Sequence, residues 1–320
     1  MRLITAPAVP DSPARVHAPQ DAPVRVGLVQ HAWDPDAARL TQTLHEGVGQ
    51  AADAGARFVF LPELTLSRYP ADTLPSSVAS EAAEDLLDGP TMRFARDAAR
   101  EHGVYVHASL YERADAEDGR GLNTAILVSP DGDLVQRTRK THIPVTAGYY
   151  EDKYFRPGPA DDAYPVAIVE DPAIKLGMPT CWDEWFPEVA RSYALAGADV
   201  LVYPTAIGSE PDHPEFDTQP LWQHTIVAHA IANGLFVIAP NRCGSEGLIT
   251  FYGTSFVADP YGRVLVQAPR DEQCVLVADL DIAQRRDWLD LFPFLATRRP
   301  DTYASLSAPI RPEHRRTVDQ

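Results

Sequence analysis

The chain has 320 residues, 45% hydrophobic and 23% charged, proportions that exclude wholesale disorder and suffice for a sizeable core. Its 28 Lys and Arg against 45 Asp and Glu give a net charge of −17, which speaks against nucleic acid and anionic membranes, since both need clustered cations. Three cysteines, Cys181, Cys243 and Cys274, are too few and too scattered for a disulfide framework or a zinc ribbon and suit a reducing cytoplasm.

Residues 1–22 are rich in Pro and Ala without periodicity, and the expectation there is an extended or disordered arm. They lack the hydrophobic stretch of a signal peptide, and no later apolar run is long enough to span a bilayer, so the chain is expected to be soluble and cytoplasmic. One domain is expected over 23–320, opening with strand chemistry at VRVGLVQ (24–30). Ala37, Leu40, Thr41, Leu44, Val48 and Ala51 follow at steps of three and four, one stripe of an amphipathic helix. RFVFLPE (57–63) reads as a buried strand ending at Pro62-Glu63, and TMRFARDAAREHG (91–103) as a helix stopped by glycine. VYVHASLYE (104–112) is a strand, and 122–140 a hairpin around Asp131-Gly132. AIKLGMPT (173–180) leads into Cys181, and FPEVARSYALAG (186–197) reads as a helix. Then come a strand at 198–205, a helix over roughly 218–233, a strand at 235–241, a hairpin at 254–268 and a strand at 274–281. Strands alternating with helices, plus hairpins, predict a mixed-sheet α/β domain.

Glu63, Lys140 and Cys181 each end a separate strand-like run, and strand ends in α/β sheets converge where ligands bind. A thiol becomes a nucleophile when a base takes its proton or positive charge stabilises the thiolate. Glu63 is the candidate base and Lys140 the candidate charge. Read singly, the cysteine is as well a buried hydrophobe, the glutamate a turn residue and the lysine a surface charge. Trp182 and Trp185 could wall a pocket or fill the core. His224 and His229, five apart, stand roughly 140° apart on a helix and do not share a ligand face, so no metal is expected.

FVFLPELTLS around Glu63, RTRKTHIP around Lys140 and GMPTCWDEWFPEVAR around Cys181 resemble, in order, the three signature blocks of the nitrilase superfamily of carbon–nitrogen hydrolases. The resemblance runs from about residue 24 to 304. It implies a Glu63–Lys140–Cys181 triad, a further glutamate at Glu151, and a four-layer α-β-β-α sandwich that pairs with a second copy. It also implies hydrolysis of a small molecule's non-peptide C–N bond without a cofactor. CWDEWFPE, GSEP (208–211) and GLITFYGTSF (247–256) are most similar to the carbamoylputrescine-hydrolysing branch. ELTLSRYP, VTAGYYEDKYF and Glu184, which stands where an amide is usual, depart from it. An ω-amidase, a nitrilase, a ureidopropionate-type hydrolase and a non-catalytic scaffold are the alternatives. Asp183 and Glu184, directly behind the cysteine, are expected at the pocket mouth, where they would attract an ammonium tail or simply begin a helix.

Overall fold

The computed structural model describes residues 1–310; the last ten residues of the expected 23–320 domain lie outside the described residues. The first half of the chain forms β1 (Arg2–Thr5), β2 (Val24–Gln30), α1 (Ala37–Asp53), β3 (Phe58–Phe60), α2 (Pro90–His102), β4 (Tyr105–Glu112), β5 (Leu122–Val128) and β6 (Leu134–Arg139). The second forms β7 (Val166–Glu170), β8 (Ala173–Gly177), α3 (Pro187–Leu195), β9 (Val200–Val202), α4 (Gln219–Asn233) and β10 (Phe236–Ala239). It continues with β11 (Cys243–Glu246), β12 (Ile249–Tyr252), β13 (Phe256–Ala258), β14 (Val264–Gln267), β15 (Cys274–Leu280) and α5 (Ala283–Leu291).

Two mixed sheets stack face to face. One runs β1-β15-β2-β3-β4-β5-β6 and the other β14-β13-β10-β9-β8-β7, with β11 and β12 as a separate hairpin. Their strands are apolar on both faces because both faces are covered. Val26, Leu28, Phe58 and Phe60 meet Val200, Val202, Phe236 and Ile238 between the sheets. The alternate residues Val29 and Val59 turn outward under Leu40, Leu44 and Val48 of α1 and Ala95 and Ala98 of α2. Leu201 and Val237 turn the other way, under α3 and α4. The layers are therefore α-β-β-α. Gly27 admits α1 to the sheet, since a Cβ there would lie 2.6 Å from that of Ala51. Among the described residues no helix is long and apolar enough to cross a membrane.

Within residues 1–22 the chain is held against the rest of the domain. Arg2–Thr5 pairs in parallel with β15, as an edge strand. Arg15 forms ion pairs with Asp281 and Asp287, and Ser12 also donates to Asp287. The segment lacks periodicity because it packs against one sheet edge and a few carboxylates, contacts that leave no repeating apolar pattern.

Candidate active site

Three strand ends from two sheets meet at one place. Glu63 follows β3, Lys140 follows β6 and Cys181 follows β8, so the site lies in the seam where the sheets face each other. All three are buried, Cys181 at 5% exposure and the other two at 0%. Backbone bonds set them in place: the Lys140 N–H donates to the Asn123 carbonyl at 2.8 Å and the Cys181 N–H to that of Pro204 at 3.0 Å. Cys181 opens a short 3-10 helix, Cys181–Trp185, and its φ of +42° lies in the left-handed region, an unfavourable conformation for a residue with a Cβ. Such a turn stands a side chain up at a strand end.

Lys140 Nζ donates to Glu63 Oε1 at 2.9 Å and to Glu151 Oε2 at 2.7 Å. The second oxygens are held as well: Ala206 N–H donates to Glu63 Oε2 at 2.9 Å, and the Tyr69 hydroxyl to Glu151 Oε1 at 2.8 Å. Asn123 Nδ2 adds a bond to Glu63 Oε1 at 2.7 Å. One ammonium thus lies between two buried carboxylates. Burial works against the Lys140 charge, but Glu151 and Glu63 outweigh it and hold its pKa well above the usual value. Glu151 is pushed up to about 7, first by burial and then by the charge of Glu63, against the pull of Lys140. Burial and the Glu63 charge push the Cys181 thiol well up, with Lys140 opposing. The resting cysteine is a neutral thiol.

Glu151 reaches the site from a one-turn helix, Glu151–Lys153. Tyr69, Asn123 and Ala206 escaped the sequence reading. Asn123 had a signal, being an amide inside an otherwise apolar strand; Tyr69 and the Ala206 N–H had none. Tyr149 also lies against the site: its hydroxyl accepts from Gly208 N–H at 3.0 Å and donates to the Ser209 carbonyl at 3.2 Å.

The residues behind Cys181 separate. Asp183, expected at the pocket mouth, is consumed by structure: its carboxylate accepts from the N–H groups of Thr141, His142 and Thr180 and from His142 Nδ1 at 2.7 Å. It caps the cysteine's own helix. Glu184 is fully buried, not at a mouth, with Thr205 Oγ1 3.4 Å from Oε2. Burial raises its pKa well above the usual carboxylate value. Trp185 packs against the apolar cluster beneath α3 and α4, and Trp182 is half-buried. His224 is exposed while His229 is buried beside Tyr203. Among the described residues, possible metal donors gather instead at His45, Glu101 and His102 on the outer helices, their ligand atoms within 4.8 Å of one another.

A cleft of about 590 Å³ is bounded by Gly208, Ser209, Phe216, Thr218 and Tyr252; none of the four buried site residues lines it, and it adjoins them through Gly208, whose N–H donates to Tyr149. Its rim carries Glu215, Asp217 and Asp271, and its Arg270 is tied to Asp217 at 2.6 Å. Half-buried Glu210 lies next to Tyr149, whose pKa is raised by burial and by that carboxylate's charge.

A double-sheet sandwich with a cysteine, a lysine and two carboxylates buried in its seam is the build of an amide-cleaving hydrolase. Residues 25–290 match the carbon–nitrogen hydrolase family, and the chain belongs to that family, within the nitrilase superfamily. It is thus an enzyme that hydrolyses carbon–nitrogen bonds. It is 34% identical to a citrullinase of Francisella tularensis, over 88% of this chain and 97% of the relative. It is 34% identical to an N-carbamoylputrescine amidase of Solanum tuberosum, over 88% and 94%. A carbon–nitrogen hydrolase structure from Helicobacter pylori G27 superposes with a TM-score of 0.80 at 32% identity, covering 89% of this chain and 98% of the other.

Proposed function

We propose that the chain is a thiol-dependent N-carbamoyl amine amidohydrolase acting on a ureido compound with a cationic far end, of the N-carbamoylputrescine kind. The observation that carries this reading is Lys140 shared between Glu63 and Glu151 beside a buried Cys181. A neutral thiol needs a base at the moment of attack. Glu63 takes the proton as Sγ bonds to the ureido carbonyl carbon, and the carbonyl π electrons move to oxygen. Lys140 and the Trp182 N–H stabilise that oxyanion. The intermediate collapses, breaking a C–N bond, and Glu63 returns the proton to the departing nitrogen, which leaves as ammonia. Water, deprotonated by Glu63 or Glu151, attacks the carbamoyl thioester and releases the thiol. The carbamic acid that remains falls apart to the amine and carbon dioxide.

Two observations support a cationic far end: the acidic cleft rim, and Glu210 beside Tyr149. Lys140 is already held by two carboxylates, and the nearby Arg68 guanidinium is paired with Asp72. A substrate carboxylate would find neither free. The relatives' names, a citrullinase and N-carbamoylputrescine amidases, support the ureido group. The same reading places the enzyme in the cytoplasm as a homodimer or higher homo-oligomer, which would cover some of the apolar side chains exposed on α3 and α4, Leu195, Leu221 and Ile231.

Ammonia release from N-carbamoylputrescine, citrulline, N-carbamoyl-β-alanine and a simple amide tests the reading. The expected kcat/KM for the ammonium-ended compound is higher by about tenfold or more, which is about 1.4 kcal/mol of discrimination. A higher value for the carboxylate-ended N-carbamoyl-β-alanine overturns the substrate class.

A further inference from the structure

Behind the site lies a buried ion pair that the mechanism does not use. Arg242 is 0% exposed, and its Nη1 donates to Glu246 Oε1 at 2.7 Å. The rest of its guanidinium faces the loop that carries Glu63. Nε and Nη2 donate to the Glu63 carbonyl at 3.1 and 3.0 Å, and Nη2 also donates to the carbonyls of Leu64 and of Ser67, the latter at 2.6 Å. Leu64 has a φ of +49°, so this loop is held in a turn that its side chains disfavour. The fork of the guanidinium suits this task, since it presents five donors in a fixed plane where an ammonium presents a point.

The contacts close into a ring. Glu246 Oε2 accepts from the Tyr69 N–H at 2.9 Å, and the hydroxyl of the same tyrosine donates to Glu151. Glu151 meets Lys140, Lys140 meets the Glu63 carboxylate, and the Glu63 carbonyl returns to Arg242. Lys140 draws the two carboxylates together from one side, and the Arg242–Glu246 pair fixes their supports from the other. An isolated buried ion pair adds little stability, so its presence asks for another explanation.

We infer that Arg242 and Glu246 are positioning residues of the hydrolytic reaction, closing a ring that sets the Glu63 base and Glu151 in register around Lys140. The inference rests on the proposed roles of Glu63, Glu151 and Cys181. A misplacement of about 1 Å at a reacting group can cost about a hundredfold in rate. Breaking the ring lowers kcat by that order while KM changes little, because neither residue meets the substrate. A second signature follows from Tyr69. Its hydroxyl is one of the groups that lower the Glu151 pKa, so freeing the tyrosine lets that pKa rise above about 7. The acidic limb of the pH–rate profile then moves to higher pH.

The test compares Arg242→Lys, Arg242→Gln, Glu246→Gln and Cys181→Ala with the parent, each on its best panel substrate. Rates are expressed per active site, counted by alkylation of Cys181 with chloroacetamide, and for Cys181→Ala, which has no thiol there, per folded protein. Arg242→Gln is expected to lose about a hundredfold in kcat, and Arg242→Lys, which keeps the charge without the fork, to recover part of that loss. Glu246→Gln keeps the size of the side chain but leaves Arg242 without its counter-charge and loosens the hold on the Tyr69 N–H, since a neutral amide oxygen is a weaker acceptor than a carboxylate. Arg242→Lys keeps a charged partner for Glu246 and so guards against a failure to fold. Glu246→Gln is expected to lower kcat several-fold and to shift the acidic limb upward. Parent-like kcat per active site and an unmoved limb in Glu246→Gln and Arg242→Lys overturn the inference. Turnover by Cys181→Ala overturns instead the reading of the site on which it rests.

Discussion

Replacing Lys140 by methionine removes the charge between Glu63 and Glu151 while keeping the length of the side chain. Both carboxylates stay buried, at 0% and 1% exposure, and each loses a bond of 2.9 or 2.7 Å. Removing one partner of a buried ion pair costs about 3–5 kcal/mol, because the stranded charge cannot be hydrated. Below about pH 7 the parent already carries a proton on Glu151. Without the ammonium the buried carboxylate pair is one positive charge short, so the variant is expected to take up one more proton on folding than the parent does. A group whose folded pKa is raised binds more protons folded than unfolded, so stability falls as pH rises from the unfolded value through the folded one. The deficit of the variant therefore narrows on acidification by about 1.4 kcal/mol per pH unit. From pH 7.5 to pH 5 it is expected to shrink from about 3–5 to about 1 kcal/mol, read by urea denaturation of both proteins at both pH values. Turnover at pH 7.5 is expected to fall about a hundredfold or more, with the larger effect on kcat. An equal deficit at the two pH values, or near-parental turnover, refutes the view that one ammonium bridges two buried carboxylates and serves the oxyanion.

Cys181→Ala is expected to fold and lose turnover, whereas Cys243→Ala and Cys274→Ala keep it at a cost in stability; mass spectrometry after brief alkylation should find Cys181 labelled first, and prior labelling of Cys274 would contradict the assignment. The thiol is 5% exposed and the other two at most 1%. Tyr69→Phe removes a hydroxyl from Glu151 and is expected to move the acidic limb of the pH–rate profile upward, seen as a growing rate deficit from pH 8 to pH 6; a constant ratio across that range argues against a titrating Glu151. Deleting residues 1–22 removes β1 and leaves Asp281 and Asp287 without Arg15, and the melting temperature is expected to fall by about 5 °C or more. An unchanged melting temperature marks the segment as dispensable for stability.

Local patterns carried far in this chain. Leu40, Leu44, Val48 and Ala51 of the expected stripe lie on the buried face of α1, while Ala37 is exposed and Thr41 half-buried; Asp131-Gly132 turns the hairpin of β5 and β6, because helix and turn geometry repeat within a few residues of their cause. That Glu63, Lys140 and Cys181 end strand-like runs was equally visible, as was their order in the family's blocks. Distant pairing and the burial of the polar side chains were not. β1 finds β15 some 270 residues away, β7 pairs antiparallel with β8, and β11 with β12 closes over Tyr69, contacts that leave no period in a short segment. The acidic residues behind the cysteine show the same divide. Sequence put Asp183 and Glu184 side by side as two charges, and tertiary structure gave them different fates. Four donors from Thr141, His142 and Thr180 spend Asp183 on the turn that raises Cys181, while Glu184 is enclosed where burial raises its pKa. A side chain's type is written in the chain, but its charge state depends on the solvent and donors around it, and those arrive from residues that only folding brings near.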